Sequence, residues 1–187
     1  YSLLLDTVGM PEIEYKAFSE YTSMADKHEY VNSIKVSNRD RKSIAKALAV
    51  YSGFTEGLQL FSSFIILLNF PRFGRMKGMG QIITYSIRDE SLHVEAMTRL
   101  FREYIQENID LWTDDFKKEI YQACRDMVDL EDRFLSLVFE LGDIEGLTKR
   151  EMQQYIRYIA DRRLLQLGLK PNYKVKDNPL EWLDTVL

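Results

Sequence analysis

Residues 49–68 read AVYSGFTEGLQLFSSFIILL, and residues 84–97 read TYSIRDESLHVEAM. The first stretch is nearly all apolar, yet it carries one carboxylate, Glu56, near its middle. At helical spacing Glu56 is surrounded by Ser52, Phe54, Leu60 and Phe64. A carboxylate in that setting is costly unless it is paired or bound to a cation. In the second stretch Glu90 and His93 stand three residues apart, which puts them on one face of a helix. Pro71, Phe73 and Gly74 mark a short turn between the two stretches. Two long helices joined by such a turn are antiparallel neighbours. Glu56 and Glu90 are also similar distances from that turn, so they fall at comparable heights.

Outward from this pair, the chain punctuates itself into further helices. Tyr1 to Val8 is a short apolar helical tail, stopped by Gly9 and Pro11. Pro11 suits a first helical position and Glu12 and Glu14 a first turn. The predicted second helix runs from there to about Tyr30, with Ile13, Ala17, Tyr21 and Met24 on one face. Asn32 to Asn38 reads as a loop. The third helix, which carries Glu56, is predicted from Asn38 or Asp40 to Asn69, and the fourth, which carries Glu90 and His93, from Met79 to Asn108. After a break at Asp110 to Thr113, Thr113-Asp-Asp is a helix start for a fifth helix running to Leu141, with Gly142 behind it. Thr148-Lys-Arg-Glu151 has capping-box spacing and opens a sixth, which ends at Gly168. Residues 172–187 read as irregular, with a short turn at Pro179 to Leu183. No stretch alternates as a strand would. The expectation is one all-α domain over residues 1–187, a bundle of long antiparallel helices.

Composition narrows the function classes. With 187 residues, 45% of them apolar and 29% charged, the chain can bury a real core. A net charge of −4 argues against nucleic acid as a partner, because such a binder presents a basic face. The most apolar run, Leu60 to Phe70, is too short to span a bilayer and is interrupted by Ser62, Ser63 and Asn69, so a core helix and no membrane partner are expected. Cys124 is the one cysteine, which excludes an intrachain disulfide and any dithiol redox cycle within the chain. A reducing compartment, the cytoplasm, fits that cysteine usage.

Glu56, Glu90 and His93 could share one metal ion. Glu-x-x-His, joined by a glutamate from a partner helix, is the unit from which dinuclear carboxylate sites in helical bundles are built. Spacing alone leaves two readings open: a metal site, or a buried salt-bridge cluster that includes Arg88. The histidine count sharpens the choice. A complete dinuclear site of this kind needs two Glu-x-x-His pairs, and the chain has only His28 and His93. Residue 25, three before His28, is alanine, and His28 sits near a helix end as a solvated residue would. The chain therefore holds half a site. Either there is no metal, or the other half is expected upstream of residue 1.

The segments EGLQLFSSF (56–64), RDESLHVEAM (88–97), YSLLLDTVG (1–9) and YIADRRLLQLGL (158–169) resemble, in the same order, the small subunit of aerobic ribonucleotide reductases. The resemblance covers essentially the whole chain. It implies a ferritin-like helical bundle, incomplete at its N-terminal end, that binds two iron ions or a manganese–iron pair. It assigns Glu56, Glu90 and His93 as metal ligands of the second half of the centre. It assigns Tyr1 as the radical tyrosine, on an apolar stripe with Leu4, Leu5 and Val8. Asp89 becomes the aspartate that hydrogen-bonds a metal-bound histidine and helps relay the radical. Phe64 becomes part of the apolar pocket around the site, which Ser86 makes more polar than in relatives with isoleucine there. The implied activity is ribonucleoside-diphosphate reduction, as one subunit. The implied partners are a larger catalytic subunit, which would supply nucleotide binding and thiols, and a second small subunit in a homodimer. That larger subunit would grip a C-terminal tail expected beyond NPLEWLDTVL (178–187). Other ferritin-like di-iron oxidases or iron-storage shells would share Glu-x-x-His without needing Asp89 or Tyr1.

Overall fold

The computed structural model describes residues 2–16, 20–34 and 40–186. Its longest element is α3, a continuous helix over Arg41–Arg72. Asp40 starts it in an extended conformation and accepts hydrogen bonds from the backbone N–H of Lys42 (3.3 Å) and Ser43 (3.0 Å). That satisfies two of the amides that a helix start leaves unpaired. The middle of α3, Tyr51–Gln59, is wound as a π-helix, and α-helical winding resumes over Phe61–Arg72. The sequence places the end of this helix at Asn69, but the helix continues through Pro71. The turn that follows is closed by Gly74 N–H to Pro71 O (2.9 Å) and Arg75 N–H to Phe70 O (3.1 Å). The next helix, α4 (Lys77–Glu107), then runs back along α3. A Cβ on Gly80 would fall 2.3 Å from Pro71 Cγ, so only glycine lets α4 leave the turn this close to α3.

The remaining long helices are α5 (Asp114–Val138) and α6 (Lys149–Gln166). Thr113 caps α5 by accepting from Phe116 N–H, at 3.2 Å. The capping box at α6 forms as the spacing predicts. Thr148 Oγ1 accepts from Glu151 N–H (3.1 Å) and the Glu151 carboxylate accepts from Thr148 N–H (2.8 Å). Before the bundle come α1 (Ser2–Val8) and α2 (Thr22–Ser33). The helix predicted from Pro11 to Tyr30 does not form as one piece. Glu12–Lys16 is a 3-10 turn, and Tyr21 is an extended residue ahead of α2. Ile13 and Tyr21 are exposed, so they have no core to face, while Met24 on α2 is half-buried. Ala17, on the same predicted stripe, lies outside the described residues. At the other end, Glu181–Thr185 is a 3-10 turn, close to the turn expected at Pro179 to Leu183. No strand forms among the described residues; Ile144 and Leu147 make one isolated antiparallel bridge.

α3 lies at the centre and packs on α4, α5 and α6. By length and composition α3 could cross a membrane. Its apolar residues are used differently: Ala45, Ala49, Val50, Phe54, Leu58, Phe61, Ile65 and Leu68 are buried in the bundle core. Facing them are Ile83 and Ile87 of α4, Phe116, Ile120 and Met127 of α5, and Met152, Ile156 and Leu164 of α6. Glu131 on α5 is fully buried and meets Lys27 of α2 at 2.5 Å and the Ser62 hydroxyl of α3. Burial pushes the Glu131 carboxyl above the ordinary glutamate value, and Lys27 opposes that. The C-terminal stretch is held by Asp161, which accepts from Tyr173 N–H (2.8 Å) and Val175 N–H (2.9 Å).

Phe54 is fully buried at the centre of this packing. Phe54→Ala is expected to lower stability to urea by about 3–5 kcal/mol through lost transfer energy and a residual cavity. Leu141, fully exposed, serves as the control: Leu141→Ala should change stability by less than about 0.5 kcal/mol.

Candidate metal centre

Glu56 projects from the π-wound part of α3 and Glu90 and His93 from the middle of α4. One ligand atom from each of the three lies within 4.8 Å of the others. His93 Nδ1 is 3.5 Å from Glu90 Oε2, as expected for an i, i+3 pair. The antiparallel α3–α4 hairpin thus brings together residues 34 and 37 positions apart in the chain. The π segment is the local feature that the apolar pattern hides. Such segments add a residue to a turn and recur at functional sites.

Salt bridges do not account for the cluster. Arg88, the cation in the alternative reading, is directed elsewhere: it stands 3.8 Å from Asp89 and over the Tyr85 ring, with its side chain 70% exposed. Among the described residues no lysine or arginine lies within ion-pair distance of Glu56 or Glu90. Glu56 Oε2 is buried without a hydrogen-bond partner. Desolvation, then the nearby Glu90 charge, push the Glu56 carboxyl above its ordinary value, and His93 acts in the opposite direction. Two carboxylates that repel each other, one with a bare buried oxygen, and an imidazole beside them form a donor set suited to a divalent metal such as iron or manganese. The site is open on one side: the His93 side chain is 60% exposed and that of Glu90 23%. Three donors do not complete a dinuclear centre, and the open side leaves room for more.

The other residues singled out by sequence fall as follows. Asp89 follows Arg88 on α4 and is 61% exposed, roughly a quarter-turn from the Glu90–His93 face. Tyr1 lies outside the described residues, and of the stripe that follows it Leu5 and Val8 are exposed. His28 is exposed as expected, but on the middle of α2 rather than near a helix end. Phe64 packs edge-on against Phe61 with ring centroids 6.1 Å apart. Cys124 is buried and free, and burial raises its thiol to about 12, which keeps it protonated and unreactive. Sequence reasoning missed Arg163, which reaches from α6 to the peptide beside Glu56 and donates from Nε to the Gly57 carbonyl at 2.8 Å. The only sequence signal for that contact is the pair of glycines, Gly53 and Gly57, on the α3 face toward α6.

The family described as "Ribonucleotide reductase, small chain" matches residues 1–179. A probable ribonucleoside-diphosphate reductase small subunit of Invertebrate iridescent virus 3 is 40% identical over 100% of this chain and 54% of its own length. A ribonucleoside-diphosphate reductase subunit beta of Chlamydia pneumoniae is 29% identical over 98% of this chain and 56% of its own. Among solved structures, the ribonucleotide reductase R2 subunit from Clostridium botulinum superimposes with a TM-score of 0.90 at 26% identity, covering 100% of this chain and 60% of that one. A putative class I ribonucleotide reductase from Bacillus halodurans gives 0.86 at 28% identity, over 92% of this chain and 62% of that one. The chain therefore spans about half the length of the curated relatives it matches.

The unpartnered Glu56 oxygen has a measurable consequence. Folding raises the Glu56 carboxyl above its ordinary value of 4.5, so the metal-free folded chain binds more protons there than the unfolded chain. The stability linked to Glu56 is then full below that value and is lost as pH rises through the folded-state value. Glu56→Gln removes this slope. In metal-free protein the variant should be more stable than the parent at neutral pH and not at acidic pH, as read by urea denaturation across pH. A parent and variant with parallel pH profiles would contradict the assignment.

Proposed function

The chain belongs to the ribonucleotide reductase small-chain family, and we propose that it acts there as the radical-generating small subunit of ribonucleoside-diphosphate reductase. The observation that carries this reading is the convergence of Glu56, Glu90 and His93, with a bare buried oxygen on Glu56, on the family's bundle. In this proposal the three side chains hold the second half of a dinuclear centre. When bound, two iron ions or a manganese–iron pair supply, with dioxygen as oxidant, the one-electron oxidation that the reaction requires. Glu56 and Glu90 offer carboxylate oxygens and His93 a neutral imidazole nitrogen. The remaining ligands are an acidic residue and a second Glu-x-x-His pair supplied from outside these 187 residues.

Tyr1 is the proposed electron donor, giving up an electron and its phenolic proton. Asp89 is the proposed acceptor for a hydrogen bond from a metal-bound imidazole other than His93, which fits its place off the Glu90–His93 face. A buried, protonated Cys124 cannot reduce a ribonucleotide, so the thiols are assigned to a larger catalytic subunit. A homodimer of small subunits in the cytoplasm completes the proposed assembly.

Metal analysis and electron spin resonance after adding iron(II) and oxygen test this reading on the protein with its complete ligand set. Two ions per chain and a tyrosyl radical are expected for a di-iron centre, and two unlike ions without a tyrosyl signal for a manganese–iron one. Two irons with no radical would favour a ferritin-like oxidase or storage role, and no bound metal would sink both. The 187-residue chain alone should bind iron(II) weakly. Tight uptake of two ions by it would contradict the view that ligands are supplied from outside.

A further inference from the structure

Arg163 lies on α6 in the YIADRRLLQLGL segment, which the proposed centre does not use. Its guanidinium is partly buried, and among the described residues no carboxylate stands within ion-pair distance of it. A sequestered cation without a counter-ion is expensive, so other contacts must offset the cost. Nε donates to Gly57 O at 2.8 Å, Nη1 donates to Gln166 Oε1 at 3.0 Å, and the guanidinium lies 5.2 Å from the Phe61 ring centroid. Burial lowers its pKa to about 10, so it stays charged at neutral pH.

The target of that hydrogen bond is specific. Gly57 directly follows Glu56 and lies inside the π-helix Tyr51–Gln59. Inserting a residue into a helical turn displaces carbonyls from their usual i+4 amides, and such carbonyls take other donors. Gly57 is also fitted to the donor: a Cβ there would fall 2.7 Å from Arg163 Nε and 2.9 Å from Ser52 O. A side chain at 57 would crowd both the guanidinium and the backbone at Ser52.

We propose that Arg163 is a positioning residue for the metal centre: from α6 it clamps the Gly57–Leu58 peptide, through the carbonyl of the residue next to Glu56, and so sets the aim of the Glu56 carboxylate toward Glu90 and His93. This rests on the metal reading above. The role is mechanical and electrostatic, because Arg163 touches neither ligand nor ion.

Cobalt(II), a spectroscopic stand-in for the native metal, tests the clamp in the protein carrying its full ligand set. Arg163→Met should weaken cobalt(II) binding by about tenfold, the lower range for loss of an outer partner that orients a ligand. It should also shift the visible ligand-field bands. Arg163→Lys, which keeps the charge and one flexible donor, should fall between Met and the parent. Gly57→Ala should reproduce the Met spectrum with Arg163 still present, and it serves if the Met variant fails to fold. Variants that melt earlier yet bind cobalt(II) with the parent affinity and spectrum would overturn the proposal and leave Arg163 as packing only. If the parent itself takes up no cobalt(II), the metal reading fails and this inference with it.

Discussion

A carboxylate with one bare oxygen inside an apolar helix is the constraint around which the molecule is arranged. Glu56 is only partly exposed, its Oε2 is buried without a partner, and no lysine or arginine among the described residues reaches it. A second carboxylate, Glu90, is brought toward it and makes matters worse. Simple stability would have replaced both by leucine or paired them with a basic residue. The bundle instead supplies a short turn at 73–76 and a long antiparallel α4, which deliver Glu90 and His93 to the same height as Glu56. A cation between the three side chains would relieve both carboxylates, as the proposed function requires. In that reading the fold gives up stability to create a site.

The rest of the structure braces that arrangement. Pro71 against Gly80 sets the spacing of the α3–α4 hairpin. α6 presses on the π segment, where Gly53 and Gly57 allow Leu167 and Arg163 to approach. α2 is tied to the far side of α3 and α5 by Lys27 through the buried Glu131 and Ser62. Fully paired, such a buried group specifies one docking register for α2. Left half-paired it would cost more than an apolar contact.

Much of this was legible from residues alone, for physical reasons that can be named. Thr113 and the Thr148–Glu151 box announce helix starts because capping is local chemistry. Glu90 and His93 share a face because i, i+3 geometry is fixed by the helix itself. The Glu56 partnership was readable because the connecting turn is short. The all-helical class and the core use of Leu60 to Phe70 follow from the apolar pattern. Other features depend on contacts that sequence spacing does not encode. The π winding over nine residues shifts the apolar pattern too little to be read against a 3.6-residue period. The Lys27–Glu131 pair joins residues 104 positions apart. The Pro11 to Tyr30 helix does not form as one piece, and Ile13 and Tyr21 of its stripe are exposed, a fact of tertiary structure rather than propensity. Asp89 was placed by resemblance, and its surface contact with Arg88 is all that these residues supply for it. The further ligands in the proposed function have no counterpart among these residues, and the chain spans about half the length of the curated relatives it matches.

The central claim is that Glu56, Glu90 and His93 ligate one metal ion. Anomalous diffraction from crystals of the metal-loaded protein, recorded on either side of the iron or manganese absorption edge, tests it most directly. The account predicts an anomalous peak about 2.0–2.2 Å from a carboxylate oxygen of Glu56, a carboxylate oxygen of Glu90 and a ring nitrogen of His93, the usual range for first-row divalent ions on such donors. A peak elsewhere in the bundle, or loaded crystals in which Glu56 and Glu90 instead close on a protein cation, would contradict it.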